Sequence, residues 1–147
     1  MTTGAPDAIA ALDRVAQETF AYFAGPGRST SARVDRWQAR DVLMHFIYFH
    51  DATAWGIQSA AQGGPPWPVP ADGVDELLAQ LRQAHARLIQ AARRAPSLDA
   101  PCFKRATGET MTGRQRLELL AKHWTEHVDE LKKAAAPAPA ATRPAPS

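Results

Sequence analysis

TGRQRLELLAKHWTEHVDELKKA, residues 112–134, decides the fold. Thr112-Gly113-Arg114-Gln115 has the form of a capping box, in which a hydroxyl and an amide three residues apart satisfy each other's backbone N–H groups. The stretch that follows reads as one helix to about Ala135. At about 100° per residue, His127 stands roughly 40° from His123. Leu119, Leu120, Leu131, Glu130 and Arg116 fall on the same side. Two imidazoles four apart on one helix face can share a metal ion. The plainer alternative is a satisfied polar patch, and chance alone gives about 0.13 such pairs among five histidines.

Working outward, three more helical segments are predicted. The first spans about Pro6 to Ala24, with Ile9, Leu12, Val15, Ala16, Thr19, Phe20 and Phe23 at steps of three and four. Gly25-Pro26-Gly27 ends it. The second opens on an apparent capping box, Asp35 with Gln38, and continues to about Gln62 with Val42, Phe46, Phe49 and Ile57. GGPPWPVPADG, residues 63–73, breaks it because proline removes donors and fixes φ. Asp72 is the expected N-cap of the third helix. Its inner stripe is Leu77, Leu78, Leu81, His85, Leu88 and Ile89, and Arg93, Arg94 and Pro96 end it. A loop of about fifteen residues holding Cys102 follows, with no convincing strand. The fold expected is an all-α four-helix bundle over residues 1–135, with a disordered Ala/Pro tail at 136–147.

Bulk properties narrow the function classes. The chain has 147 residues and a net charge of +2, with no Lys/Arg block longer than two, so nucleic acid is not an expected partner. One cysteine permits no internal disulfide, and with no leader-like N-terminus a cytoplasmic protein is expected. No apolar run reaches membrane-spanning length. A small-molecule substrate is the expected partner, and exposed helix faces are compatible with a homodimer.

A metal needs more than HxxxH, since zinc takes at least three protein ligands. His45 is the natural third, on a largely apolar face of the second helix. His50, roughly 140° away, is expected to face solvent or another groove, and His85 to be a core or rim residue. Asp41, Glu126 and Glu130 are candidates to orient ligands or plain helix charges. Cys102, beside Lys104 and Arg105, reads as a small half-buried residue more than a reactive thiol. Trp67 is a candidate for a pocket mouth, and the remaining tryptophans read as packing groups.

WQARDVLMH (37–45), a Pro-rich gap and TGRQRLELLAKHWTEH (112–127) together resemble the DinB-like superfamily. That group includes YfiT-like metal hydrolases, mycothiol-dependent maleylpyruvate isomerases and bacillithiol transferases. The likeness spans about residues 5–135 and is most specific at Trp37, Asp41, Val42, Leu43, His45 and the final HxxxH. It implies a four-helix bundle holding a divalent metal, zinc first and nickel second, on His45, His123 and His127. It also implies a low-molecular-weight thiol as cosubstrate. Arg116, on the inner face of the last helix, is a candidate to bind an anionic thiol or acid, the alternative being a plain surface group. The isomerases usually carry a further C-terminal domain where this chain has its Pro/Ala tail. Thirteen Arg against four Lys hint at a GC-rich coding sequence, favouring mycothiol over bacillithiol. The expectation is a metal-dependent enzyme that activates a thiol for transfer to, or isomerisation of, a small electrophile. A metal-dependent hydrolase and a non-catalytic small-molecule-binding bundle are the alternatives.

Overall fold

The computed structural model describes residues 5–28, 34, 37–57, 73–104 and 107–135. Its elements in order are α1 (Ala5–Ala24), α2 (Ala39–Ile57), α3 (Val74–Arg94), β1 (Pro101–Lys104), β2 (Thr110–Thr112) and α4 (Gly113–Ala135). The helices form a four-helix bundle in which α2 packs on α3, α3 on α1, α1 on α4 and α4 on α2. The Ala/Pro tail and the 63–72 part of the Pro-rich gap lie outside the described residues. No described helix is long and apolar enough to cross a membrane.

Helix ends follow local chemistry, with two departures from the sequence reading. In α1, Pro6 occupies the first turn, where a missing N–H costs nothing. The backbone N–H groups of Gly25 and Gly27 both donate to the Tyr22 carbonyl, closing the chain back on the last turn. Gly27 lies so close to the Tyr22 ring that an added Cβ would sit 2.5 Å from it. The start of α2 is later than expected. The helix opens at Ala39, and Asp41 accepts from the Gln38 backbone N–H at 2.9 Å. Gln38 is therefore the cap position and Asp41 the acid reaching back to it. Asp35 lies outside the described residues, and the spacing that suggested it recurs three residues later. In α3 the N-cap is Gly73, with no side-chain cap bond, one residue after the expected Asp72, which lies outside the described residues. Asp75 and Glu76 in the first turn still complement the helix dipole. Pro96 explains the other end, since the residue before proline is pushed out of the helical region and Ala95 is extended.

The capping box opening α4 is reciprocal. Gln115 N–H donates to Thr112 Oγ1 at 3.1 Å, and Thr112 N–H donates to Gln115 Oε1 at 2.9 Å. The preceding connection is not a plain loop. β1 and β2 pair antiparallel, with an irregularity between Pro101 and Phe103. Strands of four and three residues are too short for an alternating pattern to show in sequence. Gly108, at φ +91, takes a left-handed conformation between them that other residues resist.

The core is built from the expected stripes. Leu12, Ala16, Phe20 and Phe23 of α1 meet Val42, Phe46 and Ile47 of α2. Leu77, Leu81 and Leu88 of α3 and Leu117, Trp124 and Leu131 of α4 complete it. Phe46 stacks on Trp124 at 4.5 Å between centroids and takes the edge of Phe23 at 6.5 Å. Truncating Phe46, which is fully buried, would cost about 3–5 kcal/mol by loss of transfer energy and cavity formation.

Candidate metal centre

α2 and α4 lie side by side, and this places the sequence-predicted histidines on one cavity of about 90 Å³. His45, His123 and His127 line it with Arg116, Phe49 and Trp124. His45 and His127 are half-buried and His123 is exposed. The HxxxH pair thus lies at the rim of the apolar stripe, with His123 on the solvent side.

Ring spacing tests the fit of a cation. With Zn–N near 2.0–2.1 Å, two imidazoles at a tetrahedral centre have centroids about 5.2 Å apart. The His45–His127 distance is 5.3 Å and the His123–His127 distance is 5.6 Å. His127 is the shared member of both pairs. As placed, no three His, Cys, Asp or Glu side chains among the described residues are gathered tightly enough to hold an ion. The donor chemistry fits a borderline-soft divalent metal, which binds neutral imidazole.

The surroundings keep His45 in that neutral form. Burial, reinforced by His127, His123 and Arg116, pushes its pKa from 6.5 down to about 4. Trp37 lies edge-on to His45 at 4.8 Å, and Phe49 packs against it at 4.5 Å. Glu130 Oε2 is 3.8 Å from His127 Nδ1, beyond hydrogen-bond range but on the side that leaves Nε2 for a ligand. Asp41 does not orient His45, because its carboxylate serves the helix cap. Glu126 is exposed.

Arg116 is held in place at the cavity. Its Nε donates to Thr53 Oγ1 at 3.1 Å, and its guanidinium carbon lies 5.0 Å from the Phe49 ring centroid. Thr53 is fully buried and in turn donates to the Phe49 carbonyl at 2.7 Å. Sequence reasoning placed Arg116 on the inner face but missed Thr53, whose role depends on a contact between helices.

The other two histidines stand apart. His50 does not face solvent: it is 3% exposed, with its Nε2 3.2 Å from His85 Nδ1. Helical angle alone could not tell the solvent side from the groove shared with α3. His85 is a core residue, as expected, and its Nε2 lies 2.8 Å from Asp13 Oδ1. Cys102 falls in β1, and Trp67 lies outside the described residues.

No family model, characterised protein or solved structure matches this chain.

Proposed function

We propose that the chain is a metal-dependent enzyme of DinB-like character that activates a low-molecular-weight thiol against a small electrophile. The observation carrying this reading is that His45, His123, His127 and Arg116, from two helices, line a single cavity. His45, His123 and His127 would hold a divalent cation, zinc before nickel, leaving a coordination position open. When bound, the cation supplies Lewis acidity that makes a contacting thiol acidic at neutral pH.

The chain's own residues do the remaining work. Arg116, pre-oriented by Thr53, binds an anionic group of the thiol or its partner. Phe46, Phe49, Leu119 and Leu120 give the cavity apolar walls that limit water. Among the described residues lining the cavity there is no carboxylate to act as general base. Mycothiol is the first thiol to try.

The test uses protein purified without a metal-affinity tag, loaded with zinc or nickel. It is offered mycothiol, bacillithiol or glutathione with a panel of small electrophiles. Metal-dependent thiol consumption, lost in His45→Ala and weakened in Arg116→Ala, supports the proposal. Metal binding with no acceleration for any thiol overturns it.

A further inference from the structure

Away from the metal centre, four groups form an unbroken line through the bundle. The Phe46 carbonyl lies 3.1 Å from His50 Nδ1, His50 Nε2 lies 3.2 Å from His85 Nδ1, and His85 Nε2 lies 2.8 Å from Asp13 Oδ1. Both imidazoles are buried, while the Asp13 side chain is half exposed in the groove between α1 and α3.

Counting protons gives the behaviour of this line. Its two ends, a carbonyl and an ionised carboxylate, only accept. Its three contacts need three protons, and two neutral imidazoles bring two. The short contact to a carboxylate is the strongest and claims the His85 Nε2 proton. His85 Nδ1 is then bare and accepts from His50 Nε2–H. His50 Nδ1 is left without a proton, facing the Phe46 oxygen.

We propose that the His50–His85–Asp13 line is a proton latch: with two ring protons every bond runs toward Asp13, and when a third enters the His50–His85 bond reverses and His50 closes onto the Phe46 carbonyl. The net change takes one proton from solvent. The His50 Nε2 proton passes to His85 Nδ1, and the entering proton comes to rest on His50 Nδ1. His50 stays neutral in both states, and the positive charge rests on His85 opposite Asp13.

The surroundings agree with that placement. Burial holds His50 far below the ordinary range, at about 3, so it is a poor seat for charge. His85 is also pushed down by burial, but Asp13 pulls it back up through their contact. Asp13 remains ionised further into acid, because the bond to His85 lowers its pKa. The reversal therefore belongs on the acid side of the ordinary imidazole value. Charged neighbours come from two helices: Asp51, beside His50 on α2, is tied to Arg87 of α3, and Arg82, Arg87, Arg93 and Arg94 of α3 line the groove with Asp13. Gln17 of α1 lies 3.4 Å from Asp13, and α4 contributes the uncharged Trp124 edge, 4.5 Å from His50. Phe46 and Trp124, which the latch touches, also wall the histidine cavity.

The experiment is a ring-nitrogen NMR titration of the full chain, labelled with 15N-histidine, from neutral to acid pH. Expected at neutral pH is an Nε2–H tautomer for both rings. On acidification His85 should gain a second N–H while His50 switches to Nδ1–H and stays neutral, with one shared midpoint. Asp13→Asn keeps an acceptor but removes the charge, and should move that midpoint at least about one pH unit lower, a tenfold rise in the proton activity required. A His50 ring that keeps its tautomer through the His85 transition overturns the latch. So does an Asp13→Asn midpoint equal to that of the wild type. The wild-type titration decides the matter even if the variant folds poorly.

Discussion

Trp37 lies flat against His127, with ring centroids 5.9 Å apart and planes only 11° from parallel. The same indole presents itself edge-on to His45, so one side chain from just before α2 fixes two of the three candidate ligands. A stacked imidazole cannot tumble freely. The arrangement also puts a fluorophore beside the proposed cation.

Removing that indole should loosen the site without destroying the bundle. Trp37 is only half-buried, so Trp37→Leu should cost about 1–2 kcal/mol of stability. Metal affinity should fall by about tenfold, the usual effect of losing a group that orients a ligand. Calorimetric titration with zinc measures the second, and urea unfolding the first.

Acid should destabilise the metal-free protein in a defined window. His50 and His45 have pKa values lowered from 6.5 to about 3 and about 4. Between the ordinary and lowered values the unfolded chain holds protons that the folded chain refuses. The stabilisation is fully present above about pH 6.5 and is lost progressively down to about pH 3–4. The slope for each group is about 1.4 kcal/mol per pH unit. Tm should be flat near pH 7–8 and fall steadily below 6.5, with a shallower fall in His50→Gln.

The Asp51–Arg87 pair should respond asymmetrically. Asp51 is buried, while Arg87 is half exposed and grips both carboxylate oxygens at 3.0 Å. Arg87→Ala strands a buried charge and should cost about 2 kcal/mol. Asp51→Asn keeps the shape, frees an arginine that water can solvate, and should cost less. Chemical denaturation of the two variants distinguishes them.

How much of this was legible in sequence differs by level. Helical periodicity carried the four helices, because each buries a stripe such as Leu77, Leu81 and Leu88 that repeats at fixed steps. The box at Thr112 and Gln115 was readable because both partners lie within four residues. The start of α2 was misread because Asp35 and Asp41 each offer an acid three residues from Gln38, and only the fold selects one. The shared face of His123 and His127 was readable from their spacing and His45 from its place on an apolar face of the second helix, but their meeting on one cavity depends on a contact between helices. The burial of His50 was hidden because its partners, His85 and Asp13, come from helices distant in the chain.

Three imidazoles from α2 and α4 are proposed to share one cation. Elemental analysis of tag-free protein, side by side with His45→Ala, His123→Ala and His127→Ala, tests it most directly. The expected result is about one equivalent of zinc or nickel per chain in the wild type, with each substitution reducing occupancy sharply while the helical circular dichroism is kept. Metal-free wild-type protein that also fails to bind added zinc, or occupancy unchanged in His45→Ala, would contradict it.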